Sequence, residues 1–355
     1  MIRRPPRSTH CISSAASDVY KRQAVDISNR STRKSLLGVE YKMPVALAPV
    51  GSLGMQRADG EILAAQAAEG FGVPFTLSTM SICSIEEVAR NTSKPFWFQL
   101  YVMRDHDFAK RLVERAKAAQ CSALVLTLDL QILGQRHADI RNGLSIPLKI
   151  KLSNLFDLLS KPSWCYQMAR TKNRTFGNVM GHVKDITNLN SLTKWVQDQF
   201  DTRLNWDDVK RIKDWWGGKL IIKGIMDPDD AKMAQKCGAD ALVVSNHGDR
   251  QLDGVNSSIS TLPEIKKAVS NMEVLMDGGI SSGQDILKAI AMGAEGVMIG
   301  RSFVYGLSAG GKEGVTKSLE ILNKELDMTM ALCGRRDIKD VGRDIIKDCP
   351  FFEKN

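Results

Sequence analysis

An α/β protein made of eight strand–helix repeats is what this 355-residue sequence predicts, and three observations predict it. Short apolar runs recur from Met43 onward, each followed by a turn and a helix-period segment. The runs are continuous rather than alternating, as parallel strands covered on both faces require. Each run closes on a polar or glycine-rich cluster, so chemistry-bearing residues gather at one end of all eight. Together these select a (β/α)8 TIM barrel with a long excursion after strand four. Two stacked doubly wound domains are the alternative, which no linker or composition break supports.

The first strand, Pro44–Val50, ends in Ala48-Pro49-Val50-Gly51. The second, Pro74–Ser78, ends at Ser78-Thr79, and Ser84-Ile85-Glu86-Glu87 beyond it is a capping box that opens a helix. Strand three, Phe96–Val102, carries Gln99-Leu100-Tyr101 at its end, with a helix over Asp105–Ala119. Strand four, Ala123–Asp129, closes on Thr127-Leu128-Asp129. A helix over Asp207–Trp216 leads to strand five, Lys219–Gly224, which ends in Lys223-Gly224. Strand six, Ala241–Ser245, runs into Ser245-Asn246-His247, and strand seven, Val274–Asp277, into Asp277-Gly278-Gly279. Strand eight, Gly296–Gly300, meets Arg301.

The chain divides into a leader (1–23), a lead-in (24–42), the barrel (43–335, with 130–205 as the extended loop) and a tail (336–355). The leader shows no hydrophobic period, and Arg3-Arg4 is followed by prolines rather than an apolar region, which argues against a secretory signal. It resembles a translated sequencing adapter and is expected to be foreign and disordered, standing where a genuine N-terminus has been lost. It carries four of the nine net positive charges, and the five left give no argument for nucleic-acid binding. No run of about eighteen apolar residues exists to span a membrane. The seven cysteines contain no CxxC pair, so reduced thiols in the cytoplasm are expected, with neither a disulfide frame nor a bound metal.

His247 and Arg250 share one short loop. A proton acceptor beside a cation for a carboxylate is what oxidation of a 2-hydroxy acid needs. Asp129, Lys223 and Gly278-Gly279 each have an ordinary explanation as a cap, a snorkelling side chain and a turn. Their convergence on one barrel mouth does not. Backbone N–H groups at Gly279 and Gly300, with Arg301 alongside, form the anion cradle common after barrel strands seven and eight. No GxGxxG follows a strand, which disfavours a Rossmann-type nicotinamide site.

With these residues assembled, the chain resembles the FMN-dependent 2-hydroxy-acid dehydrogenase/oxidase family from about Val25 onward. The likeness rests on Phe98-Gln99-Leu100-Tyr101, Ser245-Asn246-His247-Gly248-Asp249-Arg250-Gln251-Leu252-Asp253, Asp277-Gly278-Gly279-Ile280, Gly293-Ala294 and Ile299-Gly300-Arg301. Leu128-Asp129-Leu130-Gln131-Ile132-Leu133-Gly134-Gln135-Arg136 points toward its bacterial L-lactate dehydrogenases. The resemblance implies FMN as cofactor and His247 as the base, oriented by Asp129. It implies that Arg250 and Arg136 hold the substrate carboxylate and that Tyr101 bonds the substrate hydroxyl. Lys223 is implied at the flavin N1/O2 edge. Ala48, Pro49, Val50, Ser78, Gln99, Thr127 and Ser245 are implied around the ring, and Asp277, Gly278, Gly279, Gly300 and Arg301 at the ribityl and phosphate.

Three departures stand out. The family's N-terminal YxDxG-like segment has no counterpart here. Its Gly-Gly-Arg reads Gly248-Asp249-Arg250, and its Ile-Arg-Arg/Ser-Gly reads Ile280-Ser281-Ser282-Gly283, without an arginine toward the phosphate.

In the excursion, Leu152, Leu155, Phe156 and Leu159 follow helical spacing, with Trp164 and Met168 beyond and Lys149, Lys151, Lys161, Arg170, Lys172 and Arg174 around them. The pattern fits a helix packed on its own barrel or a neighbouring subunit. It fits equally a membrane-surface anchor over 149–174, and the resemblance implies the anchor. The expected activity is oxidation of L-lactate or a similar L-2-hydroxy acid, with electrons passed to quinone or a cytochrome. Expected with it are a homotetramer and a place on the cytoplasmic face of the inner membrane. An oxygen-reducing oxidase is the near rival, and the resemblance implies that Gly51, a Gly rather than an Ala at that place, fits the dehydrogenase. An impaired flavin-binding protein and a flavin-free phosphosugar isomerase are the readings from other classes.

Overall fold

The structure, a computed structural model, describes residues 18–132, 134, 160–181, 199, 201–252 and 254–347. Its centre is a barrel of eight parallel strands. In chain order these are β1 (Val45–Leu47), β2 (Thr76–Ser78), β3 (Trp97–Tyr101), β4 (Ala123–Thr127), β5 (Lys219–Ile225), β6 (Ala241–Val244), β7 (Glu273–Asp277) and β8 (Gly296–Ile299). Neighbours in sequence are neighbours in the sheet, and β8 pairs back onto β1 through Ile299 and Leu47. A parallel bridge between Leu47 and Phe75 joins β1 to β2, so the ring closes. All eight strands expected from the sequence are present. Most are trimmed by one to three residues at the ends, where pairing stops before the apolar run does, while β5 runs one residue further, to Ile225, and β7 begins one residue earlier, at Glu273.

Strand geometry turns alternate side chains inward. Ala46, Trp97, Ala123, Val125, Ile221, Ala241, Val243, Leu275 and Met298 form the inner core. Their strand neighbours (Leu77, Phe98, Leu124, Ile222, Leu242, Val274, Val297) face the helices in the outer core. The inner core is closed at the N-terminal end of the barrel by a two-stranded hairpin, Lys34–Leu36 with Val39–Tyr41. Leu36 is fully buried there, and a Cβ on Gly296 would lie 2.8 Å from its Cδ2. Burying one such leucine contributes roughly 1.5–3 kcal/mol. The Glu273 carboxylate accepts from the Leu37 N–H at 2.9 and 3.0 Å, which holds the plug to the barrel rim.

The helices form where caps and periodicity ask for them. Ser84 and Glu87 make the reciprocal capping box of the helix Ile85–Arg90. Asp105 caps His106–Ala118, which buries Phe108, Leu112 and Val113. Asn205 and Asp208 cap Trp206–Trp216, and left-handed Gly217 ends it. The final helix, Arg301–Leu332, bends at Gly311 (φ 61°), and Gly306 and Gly314 meet across the bend where no Cβ would fit. Among the described residues no helix is long and apolar enough to cross a membrane.

Two boundaries move. Asp18–Val19, placed in the leader by the sequence, pairs with Ile346–Lys347, and the Tyr20 and Arg22 N–H groups donate to the carbonyls of Ile345 and Leu332. Described structure therefore reaches back into the expected leader, because the C-terminal segment supplies its hydrogen bonds. That segment is more than a tail: Ile338, Val341 and Ile345 are buried against the outer core.

Candidate active site

The inward parity that builds the core also builds the site. Two residues beyond the inner positions Trp97, Val125, Ile221, Val243 and Leu275 come Gln99, Thr127, Lys223, Ser245 and Asp277. Each faces the barrel axis one layer nearer the C-terminal mouth. Register staggers the layer, as tilted barrel strands require: Ser78 pairs with Gln99 and Thr127 with Lys223, but Gln99 pairs with Val125 and Lys223 with Val243, so Thr127 and Ser245 each lie two residues further along. Polar groups thus replace the apolar ones where the barrel opens.

At the mouth, His247 Nδ1 lies 3.0 Å from Asp129 Oδ1, joining the loop after β6 to the end of β4. Both side chains are largely buried, at 18% and 14% exposure, so solvent screens the pair little. Gly224 makes room for this contact. It has φ +98°, and a Cβ there would sit 2.7 Å from Asp129 Cβ and Cγ. Gln251 reaches back from the same loop, donating to the Asp129 and Ile132 carbonyls at 3.2 and 2.8 Å. Lys223 Nζ donates to Ser245 Oγ at 2.8 Å and pairs with Asp277 Oδ2 at 3.0 Å.

Charge at the site is settled by these partners. Burial is the largest influence on Asp129 and acts to raise its pKa, but the His247 hydrogen bond and the Lys223 charge outweigh it and hold the carboxyl below the usual value. Burial is likewise the largest influence on Lys223. It favours the neutral amine, yet Asp277 and then Asp129 prevail and raise the group above an ordinary lysine. The site therefore presents an ionised carboxylate behind an imidazole, and a buried cation beside both.

The remaining lining has the chemistry of a flavin site. Gln99 Nε2, Thr127 Oγ1, Asp129 Oδ2 and Asp277 Oδ1 are buried at the strand ends without a hydrogen-bond partner among the described residues. Orphaned groups of this kind are destabilising unless a ligand or water completes them. Around them, Ser78 Oγ donates to Gln99 Oε1 at 3.1 Å, and Ala48 is small and buried beside β8, its N–H donating to the Ile299 carbonyl. Pro49 and Val50 follow at the β1 end, half-buried. On the far side Gly278 and Gly279 have φ of +91° and +77°, and Gly300 has open space where a Cβ would be. These three meet the backbone requirements of an anion cradle. Arg301 begins the last helix there, exposed. Ser281 and Ser282 turn to Asp285, which accepts from both N–H groups at 2.9 Å, so these serines serve the next helix's cap. The residues present fit FMN.

Tyr101 is half-buried at the end of β3, and Arg250 lies exposed on the turn that carries His247. Arg136 falls outside the described residues, as do 149–159 of the basic segment. Of that segment Lys161, Arg170, Lys172 and Arg174 are exposed around the helix Pro162–Arg170, with Trp164 and Met168 half-buried. The excursion returns across the barrel rather than staying beside β4. Trp164 Nε1 donates to the Met55 carbonyl at 3.0 Å, and Thr171 Oγ1 and Asn173 Nδ2 donate to Asp59 Oδ1. Fully buried Asn178 donates to Ser81 Oγ and accepts from the Ile85 N–H.

Several positioning groups appear in the sequence reading only as strand ends or loop residues, with no role. Thr79 Oγ1 donates to the Gln99 carbonyl at 2.6 Å and accepts from the Tyr101 N–H, bracing β2 against β3. Gly224 and Gln251 fix Asp129, and Asn246 organises the loop that carries His247. Their place at polar strand ends, and the polar run Asn246–Gln251 after an apolar strand, were the signals.

Known proteins resemble this chain in sequence and in fold. The sequence profile of the FMN-dependent dehydrogenase family matches residues 15–348. An L-lactate dehydrogenase of Actinobacillus pleuropneumoniae serotype 5b is 44% identical over 335 residues, 93% of this chain and 88% of the relative. One from Haemophilus influenzae strain PittEE is 45% identical over 325 residues, 91% and 85% of the two chains. Among solved structures, a monotopic membrane (S)-mandelate dehydrogenase superposes with a TM-score of 0.90 at 33% identity, covering 96% of this chain and 90% of its own. A mandelate oxidase variant with (S)-mandelic acid gives 0.78 at 32% identity, covering 95% and 89%.

Proposed function

This chain belongs to the FMN-dependent dehydrogenase family, and from that premise we propose that it oxidises L-lactate, or a similar L-2-hydroxy acid, to the 2-oxo acid. The observation that carries the reading is the 3.0 Å contact from His247 Nδ1 to Asp129, set beside the buried Lys223–Asp277 pair. Asp129 accepts the Nδ1 proton, which leaves Nε2 as the atom that takes a proton from the substrate. The carboxylate then stabilises the imidazolium that forms. Arg250, with Arg136, holds the substrate carboxylate, and Tyr101 orients the hydroxyl. Such positioning is worth up to about 7–11 kcal/mol of barrier in the best cases. Bound FMN supplies the two-electron acceptor. Lys223 would keep its cation beside the ring, where it would favour negative charge on the reduced flavin, while Ser78, Gln99, Thr127, Ser245 and the Ala48–Val50 backbone would hold the ring. Asp277, Gly278, Gly279, Gly300 and Arg301 would hold the ribityl chain and phosphate.

Electrons go on to a quinone or a cytochrome, at the cytoplasmic face of the inner membrane. The exposed cations around the helix Pro162–Arg170 support contact with an anionic membrane surface, and a homotetramer is the expected assembly. The likeness to a mandelate oxidase favours a second reading, transfer to oxygen with release of peroxide. Dye reduction and oxygen consumption, measured side by side on L-lactate, separate the two. The dehydrogenase reading predicts rapid dye reduction with little oxygen uptake, and stoichiometric peroxide would overturn it.

A further inference from the structure

The loop after β6 holds three successive residues in the left-handed region, His247 (φ 58°), Gly248 (φ 65°) and Asp249 (φ 60°). Two of the three carry side chains, for which this conformation is unfavourable, so something must hold the turn in place. The hydrogen bonds converge on one carboxamide. Asn246 Oδ1 accepts from the Gly248 N–H at 3.0 Å, while Asn246 Nδ2 donates to Asp249 Oδ1 at 2.8 Å and to the Asn256 carbonyl at 3.3 Å. The backbone adds a bond from the Asp249 N–H to the Asn246 carbonyl at 3.2 Å. On the strand side, the His247 N–H donates to Ser245 Oγ, the hydroxyl that also receives Lys223.

We infer that Asn246 and Asp249 form a side-chain clamp that holds His247 in its left-handed conformation and thereby aims its imidazole at Asp129. They are positioning residues, acting through His247. Aspartate suits the third place of the turn because its short polar side chain tolerates a positive φ while bonding locally. Without the clamp, residue 247 relaxes toward an extended conformation and its ring swings off Asp129. The catalytic consequence rests on the function proposed above; the geometric one does not.

Asp249→Ala removes the acceptor and keeps the unfavourable φ. Asp249→Gly removes the acceptor and the conflict together, and Asp249→Asn keeps an acceptor oxygen. In the FMN-loaded enzyme, kcat on L-lactate should fall about 10- to 100-fold in Asp249→Ala, part of the full value of a positioned base, with KM changing less. Asp249→Gly should fall less, and Asp249→Asn should restore most of the rate. The kcat-against-KM split and the rescue by Asp249→Asn are the diagnostics, since general loosening of the fold would not be reversed by one restored acceptor oxygen. Equal kcat values across the three variants would overturn the clamp. A wild-type enzyme inert toward every 2-hydroxy acid would instead sink the functional reading. Crystal structures decide the geometry without turnover: the His247–Asp129 contact should be broken in Asp249→Ala, and finding it intact at hydrogen-bond length would refute the inference.

Discussion

The two ends of the barrel are built from the same inward-facing positions and come out opposite in character. At the N-terminal end Trp97, Ala123, Ile221, Ala241 and Leu275 fill the interior with apolar atoms, and a hairpin that buries Leu36 seals it. At the C-terminal end, two to four residues along the same strands, Gln99, Thr127, Lys223, Ser245 and Asp277 fill it with polar ones. Some of their atoms have no partner among the described residues. The closed end supplies stability that the open end spends on unsatisfied groups and left-handed turns. Substitutions at the open end should therefore remove flavin and activity before the fold. Those at the closed end should lower stability while sparing the chemistry of whatever remains folded.

Lys223→Met should show the contrast most strongly. Removing one member of a buried ion pair strands Asp277 and Asp129, a change on the order of 3–5 kcal/mol. Flavin retention on gel filtration and turnover should both collapse. A variant that keeps FMN and rate would break the distinction between the two ends. At the closed end, Leu36→Ala should cost about 2–5 kcal/mol in denaturant unfolding, with kcat per bound flavin nearly unchanged. A lower kcat there would mean the ends are coupled. Gly224→Ala should cost about 1–2 kcal/mol for its φ of +98°. It should also cut turnover, because the new Cβ displaces Asp129.

The smallest effect is a difference in sign with pH. The Asp129 pKa is lowered in the fold, so its stabilisation is complete above the usual value of 3.8 and is lost as pH falls through the native value. Glu273, at the closed end, is shifted up chiefly by burial, so protonating it on acidification favours the fold. Asp129→Asn should flatten the acid decline of stability below the usual 3.8, and Glu273→Gln should steepen the decline that begins above the usual 4.5, as followed by thermal unfolding across both ranges. Parallel changes in the two variants would contradict the assignment.

These ends were unequally legible in the sequence. Ser78, Gln99, Thr127, Lys223, Ser245 and Asp277 stood out because each ends or interrupts an apolar run, and barrel geometry says where such residues point. The closed end did not stand out. Lys34–Leu36 and Val39–Tyr41 are three-residue strands with no period of their own, and only the long-range fit of Leu36 against Gly296 makes them a plug. The pairing of Asp18–Val19 with Ile346–Lys347 was invisible for the same reason, since each partner lies at the opposite end of the chain. Within the site, His247 was legible as a residue type. Its orientation was not, because that depends on a conformation held by Asn246 and on the missing Cβ of Gly224.

Anaerobic addition of L-lactate to the oxidised, yellow protein, followed at the flavin absorption band for wild type and His247→Gln, tests the account at its centre. The wild type should bleach within the dead time of manual mixing. His247→Gln should stay yellow, with reduction slower by about 10²–10⁴-fold. A colourless wild-type protein, or a His247→Gln variant that bleaches as fast as the wild type, would contradict it.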